Sequence, residues 1–407
     1  MNTSSPEFAA AGLPAAWDSL PFSAAEYSDR LESVRAAMHR AGLDVLVVTS
    51  PDNAYYLTGY DSLGYYQFQA MVIQADRDAP WGVLHEVESG SARLSSWVTD
   101  IEFWKHDTGA AVGSDGVTLL IRRLADSVPA SARIGLDFDG YFLSVSQFEK
   151  VREGLPTAQL VNSSRLIPTL RAIKSPAEVA YLRAAAALSD IGVTAAANAA
   201  EIGCREFEIK AAVDHAMGMA GSEYACLPPM ISSGPKTLAV HQSASSRTVM
   251  DGDPITVGVA GSVRRYNSNI LRTFLPRGSK PNPRFEAVYD VLVEATRRCT
   301  EIAGPGVPGA VLDRESRHIT RDFDKYRLHR TGYGLEAGYP PSWMGVVSLS
   351  SNDPTVLQPG MVITIEPTFI FYDLEGADRF SAIMGNNILI TEDGAETLNT
   401  VSPFLNR

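Results

Sequence analysis

One acidic residue inside an apolar run constrains this chain more than any other feature. The segment MVITIEPTFI, 361–370, has the composition of a β-strand, with Glu366 in its middle. A carboxylate buried there must find a partner or give up its charge, because desolvating an isolated ion is too costly. Pro367 follows directly and cannot donate to a ladder, so the strand is expected to end here and open into a cavity. The plainer reading is a structural salt bridge to a nearby arginine.

A second constraint lies in the stretch from His241 to Phe274. PITVGVAG and NILRTFL read as two strands joined by a turn, beneath a lone histidine in the polar loop VHQSASSR. A hydrolase would mount a metal in such a layout, yet the acids are missing. His241 is open to two readings, a solvent-exposed loop residue or an acid–base group.

Upstream, Ser23 with Glu26 has capping-box spacing, and Leu31, Val34, Ala37, Met38 and Ala41 recur at helical spacing until Gly42. DVLVVTS follows as a buried strand, YYQFQAMVIQ and WGVLHEV as two more, then a helix near 116–127, the strand RIGLDFD and a helix from Ser144 to Glu153. Alternation of this kind predicts an α/β layer. In the second part Ser175, Pro176 and Glu178 form an N-cap, first-turn proline and capping-box set ahead of an alanine-rich helix to about Ala200. Further helices are expected over Glu206–Ala220, Arg284–Ala303 and Gly309–Tyr326, among antiparallel strands ending with NNILITE. The boundaries read as a flexible segment 1–22, an N-terminal domain 23–165 and a larger domain 166–407.

Charge and cysteine content narrow the class. A net charge of -12 argues against a nucleic-acid surface. The 3 cysteines are too few and too scattered for a disulfide framework or a zinc knuckle. No positive, then apolar, leader opens the chain, and no apolar run approaches the ~20 residues that span a bilayer. The expectation is a cytoplasmic protein with no membrane partner.

The segment GYGLEAGYPPSWMG, 332–345, lacks GxGxxG and reads as an ordered loop, not a phosphate cradle. Its Tyr333, Tyr339 and Trp343 are candidate pocket-lining residues, the plainer alternative being that they pack the loop down. Glu336 reads as a solvated charge, or as a further lining residue. No SxxK, GxSxG or HExxH pattern supports nucleophilic serine or zincin chemistry.

Taken in order, GLDVLVVTSPDNAYYLTGY, RAIKSPAEVAYLRAAAALSD, LQPGMVITIEP and NNILITEDGAETL resemble the creatinase and aminopeptidase P superfamily, whose branches include prolidases and ectoine hydrolases. The resemblance covers nearly the whole chain. It implies an α/β (α+β) fold: a smaller creatinase-type N-terminal domain and a C-terminal pita-bread catalytic domain. It also implies a homodimer in which the partner's N-terminal domain reaches over each active site. Metal-dependent relatives hold two divalent ions on five ligands. Four of those positions are substituted here, at Gly258, Asn269, Tyr333 and at or beside Gly385, and only Glu366 remains. One carboxylate with an amide cannot hold hard divalent ions.

The metal-free branch fits better. His241 falls where creatinases carry a catalytic histidine, 11 residues before Gly252, and Arg247 falls in register with an arginine of that motif. Glu366 coincides with their guanidinium-binding carboxylate, a second such glutamate falls at Leu271, and their carboxylate-binding arginine falls near Gln67, beside Tyr65. The GYPPSW and TGYDS stretches are most similar to ectoine hydrolases, which place an acid at the position of Gly258. The resemblance thus implies metal-independent hydrolysis of a non-peptide carbon–nitrogen bond in a small polar molecule, with no cofactor. His241 and Glu366 would be catalytic, while Asn269, Tyr333, Arg247, Tyr65, Gln67, Glu336, Tyr339 and Trp343 would face the substrate. A lyase or cyclase on the same scaffold and an inactive binding protein are the alternatives.

Overall fold

A computed structural model describes residues 20–105 and 114–406. The chain divides into two compact units, Met1–Leu170 and Arg171–Arg407.

In the first unit six strands form one sheet: β1 (Val45–Val48), β2 (Ala70–Gln74), β3 (Trp81–His85), β4 (Ile101–Trp104), β5 (Arg133–Leu136) and β6 (Gln159–Asn162), in the order β4-β3-β2-β1-β5-β6. All of β1, β2 and β3 is buried, so those strands read as continuous apolar runs, as expected where helices or loops cover both faces. The first helix, α1 (Ala24–Ala41), starts where Ser23 Oγ accepts from Glu26 N at 3.2 Å and stops at Gly42, φ 63°. The expected capping box is only half made, because the Glu26 carboxylate is drawn to Arg30 at 2.6 Å. Two further expectations change. YYQFQAMVIQ is a strand only from Ala70, since Ser62 Oγ accepts from Gly64 N (2.9 Å) and turns Leu63–Tyr66 into a 3₁₀ segment. Of the segment 1–22, residues 1–19 lie outside the described residues, while Phe22 is packed, with the Arg30 guanidinium 3.8 Å above its ring.

The second unit is built on one long hairpin. After β7 (Met230–Ser233), strands β8 (Ile255–Val263) and β9 (Tyr266–Phe274) pair over their whole length. Their turn places Arg264 (φ 48°) and Arg265 (φ 63°) in the left-handed region, the conformation a two-residue hairpin needs. The strain is offset where Arg265 pairs with Glu223 at 2.7 Å and stacks 3.7 Å over Tyr224. Strands β10 (Gly332–Tyr339), β11 (Ser342–Leu349), β12 (Val362–Ile365), β13 (Thr368–Ile370), β14 (Ser381–Ile383), β15 (Asn386–Ile390) and β16 (Ala395–Thr397) follow. The large sheet runs β16-β15-β12-β10-β9-β8-β7, with β11 paired to β10, and β13-β14 stand apart.

Helix α2 (Pro176–Ala199) forms both bonds of its capping box and crosses β8 and β9. By length and a mean hydropathy of 1.2 it would pass for a membrane span, contrary to the sequence expectation, but its buried face is spent on the sheet. Gly261 is required beneath it, since any β-carbon there would overlap the Ala185 carbonyl. The helix expected over Gly309–Tyr326 ends at Ile319 and continues as a 3₁₀ turn, Arg321–Tyr326, with Thr320 Oγ1 bonding back to Ser316 O at 2.8 Å.

The largest correction concerns 332–345. This segment is a hairpin, β10 and β11 about a cis Pro340–Pro341 bond, and not a loop. All eight residues of β10 are buried because β9, β11 and β12 all pair with it. Gly332 meets the close Thr364 carbonyl, so glycine marks tight packing there and not a bend. Glu336 is accordingly buried and ion-paired to Arg171 at 3.4 Å, both side chains at most 5% exposed, so it is not a solvated charge.

Candidate active site

Glu366 stands in the break between β12 and β13, as its proline predicts, and its N–H donates to Thr331 O at 2.7 Å. The carboxylate is buried. Its Oε2 accepts from Tyr333 Oη at 3.1 Å and from Asn269 Nδ2 at 3.2 Å. Trp343 Nε1 donates to the same tyrosine oxygen at 3.2 Å, which directs the phenol proton toward the carboxylate. Asn269 Oδ1 has no hydrogen-bond partner among the described residues, leaving a buried acceptor beside Glu366. Every near donor to Glu366 is neutral. Burial therefore pushes its carboxyl up to about 7, against the opposing pull of the Tyr333 and Asn269 hydrogen bonds and the Arg330 charge. Burial and the neighbouring carboxylate also raise Tyr333, keeping the phenol protonated.

His329, which sequence reasoning missed, places Nδ1 3.8 Å from Glu366 Oε1 and 2.8 Å from Arg330 O. A carbonyl can only accept, so the network assigns the proton to Nδ1 and leaves Nε2 as the basic atom of the neutral ring. Burial lowers its pKa, and the Arg330, His241 and Arg327 charges act in the same sense. His241 is thus an electrostatic neighbour of His329, on an exposed loop. Arg330, also unforeseen, lies 4.9 Å from the Tyr333 ring centroid, a cation over the ring whose hydroxyl meets Glu366. The signal available for both was a histidine–arginine pair directly ahead of the singled-out segment, in LHRTGY.

The His241 loop is clamped at both ends by Glu206, at the start of the helix α3 (Glu206–Met219). One carboxylate oxygen accepts from Ser233 N and Oγ, both at 2.8 Å; the other accepts from Ser245 N (2.9 Å) and Oγ (2.6 Å) and from Lys236 Nζ. Arg247 is committed to this scaffold, with Nη1 2.7 Å from Asp253 Oδ2 and 2.5 Å from Ser233 Oγ. It is not drawn toward Glu366. Tyr339, at the end of β10, lies under Arg265 at 5.8 Å. Tyr65 and Gln67 belong to the first unit, where Tyr65 packs edge-on against Phe142 and Gln67 N donates to Gly64 O at 2.9 Å.

The remaining former ligand positions are closed by apolar atoms. Gly258 pairs with Leu271 across β8 and β9, and Leu271 bridges to Gly385 (N–H to Leu271 O, 2.9 Å). A β-carbon on Gly385 would stand 2.7 Å from Leu271 Cδ1, and one on Gly258 3.0 Å from Met230 Cε. Among the described residues no group of three or more His, Cys, Asp or Glu side chains converges. Leu271 and Met230 fill the space, and the donors left are one carboxylate, an amide, a phenol and the neighbouring His329 imidazole, too few for a divalent pair.

A two-domain α/β chain, with a buried carboxylate in the strand break of its second sheet, is the architecture of the pita-bread enzymes with a creatinase-type N-terminal domain. Residues 180–392 match the family described as metallopeptidase family M24 and residues 30–173 the creatinase/prolidase N-terminal domain. The chain belongs to the M24 family of hydrolases. It is 27% identical over 399 residues to the ectoine hydrolase of Halomonas elongata (93% of this chain, 96% of that protein). It is 28% identical over 374 residues to the Xaa-Pro dipeptidase of Pyrococcus furiosus (91% and 97%). The crystal structure of the Pyrococcus horikoshii prolidase superposes with a TM-score of 0.79 at 23% identity, covering 93% of this chain and 99% of that one, which shows the fold.

Proposed function

We propose that this chain hydrolyses a non-peptide carbon–nitrogen bond in a small cationic amidine or guanidine, or a related amide, without a metal ion. One observation carries the reading: Glu366 is a buried carboxylate served only by neutral donors, with its carboxyl pushed up to about 7. A cationic ligand is what such a group lacks. An amidinium paired to it would be oriented by parallel hydrogen bonds, with a further N–H available to Asn269 Oδ1, and its central carbon left open to attack. Water attacks that carbon while His241 takes its proton, and the same proton passes to the departing nitrogen as the carbon–nitrogen bond breaks. Acid–base help of this kind is worth roughly 100- to 10,000-fold. A second copy of the chain would complete the site with its N-terminal unit.

The relatives support this unequally. The ectoine hydrolase resemblance favours a non-peptide bond, whereas the Xaa-Pro dipeptidase resemblance favours a peptide bond. The filled metal space supports the first of these readings. The test is turnover of an amidine, guanidine, amide and Xaa-Pro panel in ¹⁸O-water by the metal-analysed protein. One labelled oxygen per product, sensitivity to His241→Ala and substoichiometric metal are expected. Xaa-Pro cleavage dependent on near-equimolar metal would overturn the proposal, and product without label would point to elimination.

A further inference from the structure

We propose that Thr331 is the positioning residue of this site: its buried hydroxyl, held between Asp313 and Arg327, fixes the backbone from which His329 and Tyr333 meet Glu366. The kinetic consequence rests on the proposed hydrolysis, whereas the placing of His329 does not.

The segment 327–331 belongs neither to the 3₁₀ turn Arg321–Tyr326 before it nor to β10 after it. Irregular backbone has many courses open to it, and side chains must select one. Here the two ends of the segment are joined. Arg327 Nη2 donates to Thr331 Oγ1, which donates in turn to Asp313 Oδ1 at 2.6 Å, and Arg327 Nη2 lies 3.6 Å from that same carboxylate oxygen. All three side chains are buried. Asp313 stands on the helix Gly309–Ile319, where Arg317 Nε donates to its other oxygen at 2.9 Å. The hydroxyl thus accepts from a cation and donates to an anion, and hydrogen bonds to charged groups are the strong ones.

Thr331 passes this anchorage on to the site. Its N–H donates to Leu349 O at 3.0 Å and its carbonyl accepts from Glu366 N at 2.7 Å, so the backbone and side-chain polar groups of the residue are all engaged. Upstream of it, His329 Nδ1 lies 3.8 Å from Glu366 Oε1; downstream, Tyr333 Oη donates to Oε2 at 3.1 Å. One residue therefore sets the spacing of both groups about the two oxygens of the carboxylate. A purely structural ion pair needs none of this, since Asp313 and Arg327 face each other with or without the hydroxyl.

Thr331→Val keeps the shape of the side chain and removes only the hydroxyl, while Thr331→Ser keeps the hydroxyl. Proton–nitrogen NMR of the imidazoles in the full chain reads the outcome, with the His329 signals assigned by their loss in His329→Gln. Wild type and Thr331→Ser are expected to show the Nδ1-protonated tautomer bonded to Arg330 O, and Thr331→Val a mixture of both tautomers. For the panel compound that is turned over, kcat should fall about 10- to 100-fold in Thr331→Val, the cost of a misplaced reacting group, and recover in Thr331→Ser. Should Thr331→Val fail to fold, Arg327→Lys, which keeps the charge beside Asp313 without the fork, is expected to give the same mixture. An unchanged His329 tautomer in the folded variant overturns the inference whatever its stability, and so does an unchanged kcat or a mixture that Thr331→Ser shares. A changed tautomer in a protein that hydrolyses no panel compound supports the placement and removes the proposed reaction alone.

Discussion

Leu271 fills the space in which a side chain on Gly385 would have to stand, with Cδ1 2.7 Å from an ideal β-carbon there. The two residues also exchange backbone bonds, Gly385 N to Leu271 O at 2.9 Å and the reverse at 3.4 Å, so neither strand can shift to make room. Gly385→Ala should therefore destabilise the protein by about 1–3 kcal/mol, the usual cost of overpacking. Adding Leu271→Ala should recover part of that loss. Urea denaturation of the two single variants and the double variant measures the coupling; strictly additive effects would show that Leu271 does not occupy the site.

Glu366→Gln separates stability from function. The amide keeps the shape while removing a carboxyl that burial holds near 7, so unfolding free energy near pH 8 should be unchanged or higher. Cation binding and turnover should both be lost, because no opposite charge remains. A destabilised variant with normal turnover would mean that the carboxylate is structural.

The same group sets a pH dependence. Its folded pKa of about 7 lies above the ordinary 4.5, so between those values the folded chain binds more protons than the unfolded one. Its contribution to stability is full below about 4.5 and is lost as pH rises through about 7. Cation affinity should run the opposite way, rising with pH and levelling off above about 7. Melting temperature against pH, wild type minus Glu366→Gln, reads the first trend, and calorimetry with methylguanidine reads the second. A flat difference curve would show that the carboxylate is already ionised throughout.

How much of this was legible in the sequence depends on how local each signal is. The helix beginning at Pro176 was readable because Ser175, Pro176 and Glu178 carry their instructions within one turn. The break at Glu366-Pro367 was equally local. The strand β10 was not, because its glycines serve close contact with neighbouring strands, Gly332 against Thr364 of β12 and Gly334 against Val347 of β11, and a glycine chosen for close approach looks the same as one chosen for a turn. Glu336 was misjudged for the same reason, its partner Arg171 lying 165 residues away. His329 and Arg330 gain meaning only once Thr331 is bonded to the Glu366 backbone, which brings both beside the carboxylate.

Glu206 offers the last and most demanding prediction. Its carboxylate is fully buried and accepts from both ends of the segment carrying His241, so its expected role is to position that loop. Glu206→Ala would strand Lys236 and the two serines, and breaking a buried charged network in this way typically costs about 3–5 kcal/mol. Glu206→Gln keeps one accepting oxygen but turns an N–H₂ toward donors, so it should loosen one end of the loop without unfolding the chain. Amide exchange should then quicken across 239–245 while the strands β8 and β9 remain protected. Under the proposed mechanism, turnover should fall through kcat with KM little changed, because Glu366 is untouched and only His241 is displaced. A Glu206→Gln protein with a mobile loop and an unchanged kcat would show that His241 needs no fixed position, and so does not carry the proton.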